Sequence, residues 1–403
     1  MIKSPVKGMR DILPSDMTVR EYVLGIIEQV ASRAGYQRIE TPAMEHLENL
    51  QSKDGGENEK LIFKVLKRGE ALERAMRDDE EISDIALRYD LTVPLARYMA
   101  ANGNELAMPF KALQIGPVWR ADAPQKGRFR QFMQCDMDII GDSSVLAEVD
   151  VLRTAVEILA RICGEAEIAG LTVRVNDRRM LTSAMKYAGF DDYESALISL
   201  DKLDKIGVEG VKAEMIERGY AEEVVDKLLV LFDGDTEVQE FAEKVGADRA
   251  VVSDLLAIMG AIEGVKVVFD PTLVRGMGYY TGPIFECSAE GLGSSIAGGG
   301  RYDKMIGKFS GQDVPACGFS IGFERLVTIL QDKGFVPTDK GVKKAILVSK
   351  KVSSEKYREI MARAEEMRGS GETVSVMMMA RNLGRQIELL ERSGYGEFEK
   401  VYE

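Results

Sequence analysis

Residues 110–140 read FKALQIGPVWRADAPQKGRFRQFMQCDMDII. Short apolar runs such as residues 112–115 alternate with charged stretches around a Pro-Gln-Lys-Gly turn, which predicts two antiparallel strands joined by a long loop. Side chains alternate along a strand, so Gln134, Asp136 and Asp138 share one face of the second strand. The loop is basic, with Arg120 on one side and Arg128 on the other. A guanidinium offers a planar fork that pairs bidentately with phosphate oxygens, and Phe132 supplies a ring on which an adenine could stack. Taken alone, the same loop reads equally well as an exposed hairpin of solvated charges.

Working outward from this hairpin, residues 15–36 carry Val19, Tyr22, Val23, Ile26, Ile27, Val30 and Ala34 at helical spacing, with Gly35 suited to the position after the helix end. A short strand is expected over 36–40. A helix follows the hairpin over 146–162, then a strand over 171–175. Residues 191–264 show repeated helical patterns punctuated by Gly or Asp, and read as a helical insertion in a β-rich core that resumes near Val267 and ends in a helix starting near Gly322. A polar stretch over 331–343 with Pro337 and Gly341 reads as a linker. Beyond it, strand, helix, strand and helix alternate from 344 to the end, which implies a small βαβ unit with a parallel sheet. The expectation is an α+β protein: a core over 1–330 interrupted by the insertion at 191–264, then a small α/β domain over 344–403.

The chain has 403 residues, a formal net charge of −13 and an ordinary globular balance of 45% apolar and 30% charged residues. The acidic excess argues against indiscriminate nucleic-acid binding, which needs a dominant basic field, but leaves room for a local basic face. No apolar segment follows a basic start and no run of roughly 18 apolar residues occurs, so neither a secretory signal nor a membrane span is expected. Cys135, Cys163, Cys287 and Cys317 are far apart and form no C-x-x-C pair, which disfavours a disulfide scaffold and a structural zinc site. The single histidine, His46, excludes a histidine-based metal cluster, and no metal-binding residues are expected.

Three further stretches carry chemistry-bearing residues. In residues 316–326, two glycines in a strand permit a flat ligand to approach the backbone, and Arg325 falls in the first turn of a helix, where anions are favoured. Residues 273–282 and 297–303 combine Arg275, the pair Tyr279-Tyr280 and a run of glycines, which suits a pocket floor with hydrogen-bonding edges. In residues 87–94, Asp90 and Thr92 precede Pro94, and with Asp136 and Asp138 they could meet an ammonium or an imidazole N–H. Each stretch also has a plain structural explanation in turns, packing glycines and solvated acids.

Their order and spacing together resemble the three signature motifs of class II aminoacyl-tRNA synthetases. The strings Lys7-Gly8-Met9-Arg10-Asp11, 87–92, 124–132, 275–281 and 297–303 resemble those of the histidyl-tRNA synthetase family, over residues 7 to about 330 and more weakly to the C-terminus. The resemblance implies the class II antiparallel sheet flanked by helices, with residues 344–403 as a shortened anticodon-binding-like domain. It implies a histidine–tRNA ligase that activates histidine with ATP to histidyl-adenylate and transfers it to tRNA(His), with Mg²⁺ carried by ATP. Residue by residue, Arg120 would hold the α-phosphate, Arg325 the γ-phosphate, and Arg275 would be a second catalytic arginine at the α-phosphate. Arg128 and Phe132 would complete the ATP site. Asp90, Thr92, Gln134, Asp138, Arg275, Tyr279 and Tyr280 would bind histidine, with Asp138 and Tyr280 on the imidazole nitrogens. Gly278 departs from the acid or amide usual before the tyrosine pair, and Ala123 from a basic residue found in many bacterial members. A homodimer joined around 36–50, in the cytoplasm and away from membranes, is also implied. The alternative is the histidine-sensing regulatory subunit of ATP phosphoribosyltransferase, which shares the fold without aminoacylation. That subunit tends to lose the arginines that stand here at 120, 275 and 325.

Overall fold

The hairpin read from residues 110–140 lies inside an eight-stranded sheet. The computed structural model describes residues 1–51, 60–123, 128–234, 236–275, 279–290, 295–337 and 343–402, with the side chains of 194 and 204 excepted. These divide into two compact units, residues 1–10 with 25–329 and residues 11–24 with 330–403.

In chain order, α1 (Pro14–Arg33) precedes β1 (Gln37–Ile39), β2 (Met44–His46), α2 (Leu47–Leu50), β3 (Phe63–Leu66), α3 (Glu70–Arg77), β4 (Ser83–Leu87) and α4 (Thr92–Asn102). The long pair β5 (Phe110–Trp119) and β6 (Gln131–Ile140) follows, then α5 (Leu146–Glu165), β7 (Thr172–Asp177) and α6 (Arg178–Ala188). Five helices come next: α7 (Glu194–Leu200), α8 (Leu203–Glu217), α9 (Glu222–Leu229), α10 (Val238–Val245) and α11 (Arg249–Ala261). The sheet then resumes with β8 (Lys266–Phe269), β9 (Pro283–Ser288), β10 (Ala297–Arg301), α12 (Gly307–Ser310), β11 (Ala316–Ile321) and α13 (Phe323–Asp332).

The large sheet has the order β1-β5-β6-β11-β10-β9-β7-β8. Its two outermost pairings, β1 with β5 and β7 with β8, are parallel, and every pairing between them is antiparallel. β5 and β6 run in register from Phe110↔Ile140 to Trp119↔Gln131, so the loop between them leaves from one end of a rigid ribbon. α5 packs on β11 and β6 and buries Val151, Leu152, Ala155, Ile158, Leu159 and Ile162. Full burial of each large aliphatic side chain stabilises by about 1.5–3 kcal/mol, so this helix anchors the sheet's middle. A separate sheet, β2-β4-β3, had no counterpart in the sequence reading: its strands are three to five residues long, too short for alternation to register.

In the second unit, β12 (Lys343–Val348), α14 (Ser354–Gly369), β13 (Val374–Met378), α15 (Leu383–Glu391) and β14 (Tyr395–Val401) form a parallel sheet in the order β13-β12-β14. The central strand β12 is apolar without alternation from Ala345 to Val348, all fully buried, as a parallel strand covered on both faces requires. Ile346, Val348, Val352, Ile360, Ala364 and Val374 form its core. Strand β14 was not foreseen. Gly396, Glu397, Glu399 and Lys400 dilute its pattern, and its polar side chains give no period of two.

Where β9, β10, β11 and β6 run side by side, glycine sets the spacing. A Cβ on Gly299 would stand 2.0 Å from the Gly318 carbonyl oxygen, and one on Gly318 would stand 1.9 Å from Asp138 Oδ1. The sequence reading gave such glycines to a flat ligand; in the fold they first make room for the neighbouring strand and for an aspartate. Gly299→Ala should therefore overpack the sheet and destabilise the protein by about 3 kcal/mol or more. Gly164→Ala, in α5 with nothing within 4 Å of the added methyl, should stabilise it by about 0.5–1 kcal/mol. Thermal denaturation of the two variants checks both signs.

Candidate active site

Two adjoining cavities open on β6, β10 and β11. The larger, of about 390 Å³, is lined by Arg120, Arg128, Arg275 and Arg325 together with Phe129, Phe132 and Glu324. The smaller, of about 180 Å³, is lined by Asp90, Thr92, Gln134, Asp136, Asp138, Tyr279, Tyr280 and Tyr302. Arg120, Gln134, Tyr279, Tyr280, Gly298 and Ser320 border both.

The smaller cavity follows from strand alternation. Gln134, Asp136 and Asp138 reach it from one face of β6, and Asp90 reaches it from the entry to α4, where its Oδ1 accepts the Val93 N–H at 3.1 Å. Asp136 Oδ1 accepts from Ser320 Oγ at 2.5 Å, and Asp138 Oδ1 accepts from the Tyr302 hydroxyl at 2.5 Å. Asp138 Oδ2 and Gln134 Oε1 are buried and accept nothing among the described residues. Such orphaned acceptors are rare and mark a place for a donor from outside. Burial, with the neighbouring carboxylate Asp136, pushes the Asp138 carboxyl up to about 8. Burial likewise pushes Asp136 up to about 7, against the Ser320 hydrogen bond. Asp90 is raised by burial and drawn back by the Val93 N–H and the Arg120 charge. Burial also pushes the Tyr280 phenol up to about 12, so it stays a hydroxyl donor. The cavity is an acidic pocket suited to positive or N–H-bearing groups.

The larger cavity has the opposite sign. Arg120 donates through Nε to the Tyr89 carbonyl at 2.9 Å, and its guanidinium lies 5.2 Å over the Phe132 ring. Arg275 pairs through Nε with Glu286 Oε2 and donates through Nη2 to Ser295 Oγ at 2.7 Å. Arg325 donates through Nη1 to the Ser295 carbonyl. Glu286 also pairs with Arg174, and although burial would raise its carboxyl, the charges of Arg275 and Arg174 hold it below the usual range. Burial depresses Arg325, and the like charge of Arg275 adds to that. An anion entering here would relieve that repulsion. Arg128 is more than half exposed, 3.9 Å from Asp122. Among the described residues no group of three or more His, Cys, Asp or Glu could hold a metal ion.

Every candidate site residue from the sequence lies on one of the two cavities: Arg120, Arg128, Phe132, Arg275 and Arg325 on the larger, Asp90, Thr92 and Asp138 on the smaller, and Gln134, Tyr279 and Tyr280 on their common border. Gly278 and residues 124–127 lie outside the described residues. The sequence reading missed Tyr302 and Ser320 as partners of the aspartates, and Glu286 and Ser295 as holders of the arginines. The antiparallel register that sets Ser320 opposite Asp136 would have flagged Ser320, but it pairs residues more than 170 positions apart. His46 is exposed at the start of α2, away from both cavities.

Residues 8–326 match a family model described as histidyl-tRNA synthetase. A histidine–tRNA ligase of Leifsonia xyli subsp. xyli is 42% identical, over 98% of this chain and 94% of its own length. A probable histidine–tRNA ligase of Tropheryma whipplei is 36% identical, over 98% and 94%. The crystal structure of histidyl-tRNA synthetase from Nostoc sp. PCC 7120 superposes with a TM-score of 0.78 at 27% identity, over 98% of this chain and 90% of that one. An ATP phosphoribosyltransferase regulatory subunit/histidyl-tRNA synthetase from Bacillus halodurans C superposes equally well, TM-score 0.78, but at 21% identity it shares the fold alone.

A carboxyl raised by folding favours the folded state at low pH. That contribution is complete below the unfolded value near 4 and is lost as pH rises through about 8 for Asp138. Asp138→Asn should therefore raise the melting temperature of the ligand-free protein at pH 8.5–9, by an amount equivalent to about 2 kcal/mol or more, and change it progressively less as pH falls toward 4. A variant that melts below the wild type at pH 9 would contradict the buried-charge account.

Proposed function

The chain belongs to the histidyl-tRNA synthetase family, and from that membership we propose how its two cavities join histidine to tRNA. It is an aminoacyl-tRNA synthetase, an enzyme that ligates histidine to tRNA. The observation that carries the proposed mechanism is the pairing of opposite chemistries across one border, a carboxylate with a free buried oxygen beside a cluster of four arginines.

In this mechanism the smaller cavity takes the amino acid. Asp138 Oδ2 accepts one imidazole N–H, the Tyr280 hydroxyl serves the other ring nitrogen, and Asp90 with Thr92 and Gln134 receives the α-ammonium. Tyr279 closes the wall beside them, its ring 4.3 Å from that of Tyr280. A side chain without ring nitrogens would leave the buried Asp138 Oδ2 without a donor, a penalty that discriminates against it. The histidine carboxylate then faces the larger cavity, where ATP binds. There Phe132 stacks on the adenine, Arg325 holds the γ-phosphate, Arg128 helps screen the outer phosphates, and Arg120 and Arg275 hold the α-phosphate. A carboxylate oxygen attacks the α-phosphorus, the bridging P–O bond to the β-phosphate breaks, and pyrophosphate leaves with the electron pair. The terminal adenosine hydroxyl of tRNA(His) next attacks the acyl carbon, and AMP departs. No protein nucleophile is needed, so catalysis is positioning and charge stabilisation at phosphorus. Mg²⁺ is proposed to enter on the phosphates of ATP, whose oxygens suit a hard cation.

The histidine-sensing alternative needs only the smaller cavity. Four arginines on the neighbouring one, two of them oriented by Ser295, support the catalytic reading instead. We further propose a homodimer formed around residues 36–50, a reading supported by Met44 and Leu66, each 52% exposed on the β2-β4-β3 sheet. Residues 1–330 are proposed as the catalytic domain with the insertion at 191–264, residues 331–343 as a linker, and residues 344–403 as an anticodon-binding-like domain. A cytoplasmic location suits its substrates and its four free cysteines. No described helix is long and apolar enough to cross a membrane.

Histidine-dependent exchange of pyrophosphate into ATP tests this reading, and its absence in the wild-type protein would overturn it. Arg275→Ala should cut the exchange rate about 10²–10³-fold while histidine affinity falls far less, since the main proposed contact is to phosphate. An unchanged rate would remove Arg275 from the mechanism.

A further inference from the structure

The string Lys7-Gly8-Met9-Arg10-Asp11 helped identify the family, yet the proposed mechanism gives it no task. Arg10 donates through Nη2 to Glu324 Oε2 at 2.5 Å, a pair spanning 314 positions. Its guanidinium also lies 4.0 Å over the Phe129 ring. Two residues earlier, the Gly8 carbonyl accepts the Arg130 N–H at 2.7 Å. The other oxygen of Glu324 accepts the Met133 N–H at 3.2 Å. Segment 8–10 thus grips the returning limb of the 120–131 loop at Phe129 and Arg130, and Glu324 continues the grip onto the start of β6, beside Phe132.

Glu324 precedes Arg325 in the first turn of α13, and both line the larger cavity. One charge pair therefore joins its two walls, the loop limb bearing Arg128 and Phe132 and the helix bearing Arg325. Glu324 is 8% exposed and, with Asp122, is one of two carboxylates on a cavity whose four arginines suit a polyphosphate. Without a cation beside it, it would repel the very ligand the arginines attract.

We propose that Arg10 is a positioning residue for ATP: it holds the loop limb against α13 and cancels the Glu324 charge at the triphosphate site. This rests on the reading that the larger cavity binds ATP, and it adds a residue that touches neither substrate. Lysine at this position would keep the charge but lose the planar fork and most of the stacking on Phe129.

The test measures ATP binding by calorimetry and histidine-dependent pyrophosphate exchange on the full chain, with ATP and histidine varied separately. Arg10→Ala should raise the KM and Kd for ATP about tenfold or more and leave the KM for histidine within about twofold, with Arg10→Lys intermediate. Arg10→Ala combined with Glu324→Gln should recover at least threefold of the lost ATP affinity. The amide oxygen still accepts from Met133 while the stranded charge is gone. A merely structural Arg10 would depress both substrates together and gain nothing from the second substitution. That result, or an unchanged ATP affinity in Arg10→Ala, overturns the proposal. Absence of exchange in the wild type overturns the ligase mechanism instead, and the calorimetric arm still decides the role of Arg10.

Discussion

Three aspartates, raised by burial, share a cavity of about 180 Å³, and they cannot all carry charge there unaided. The rest of the site answers to that constraint. Tyr302 and Ser320 each donate to one carboxylate and so fix which oxygen remains open to a ligand. Arg120, at the border, supplies the nearest positive charge to Asp90 and Asp136. The ligand must bring further positive or N–H groups. Histidine has an ammonium at one point and ring nitrogens at another, which is the complement of this arrangement.

The larger cavity presents the inverse problem. Guanidinium groups held near one another repel, and the fold sustains three of the four by tying them to fixed acceptors: Arg120 to the Tyr89 carbonyl, Arg275 to Glu286 and Ser295, Arg325 to the Ser295 carbonyl. Their geometry is thereby set before any anion arrives, so an anion bound there would meet donors already oriented. An acidic protein with a net charge of −13 can still present a strongly positive cleft, because local arrangement rather than net charge sets the field there.

Both cavities depend on close-packed strands. Gly298, Gly299 and Gly318 bring β10 and β11 near enough for Arg275 and Asp138 to occupy the space that Cβ atoms would fill. Packing and function are coupled at these positions, since the same missing methyl serves the sheet and the site. Glu286 shows similar economy: a single buried carboxylate orients Arg275 and Arg174, and their charges keep it ionised.

The sequence by itself determined the local elements whose periodicity is strong: the stripe of α1, the long strands β5 and β6, the helices of 194–261 and the uninterrupted apolar strand β12. It determined the shared face of Gln134, Asp136 and Asp138, because alternation is a property of any strand. It also carried, through resemblance, the residues that line the two cavities. Only the tertiary structure decided how those residues meet. The partners Tyr302 and Asp138 stand 164 positions apart and Arg10 and Glu324 stand 314 apart, and the register of β11 on β6 and β10 leaves no local period to read. Short strands such as β2, or a charged strand such as β14, escaped notice for the same reason. Their conformation is imposed by neighbours in the sheet rather than by their own composition.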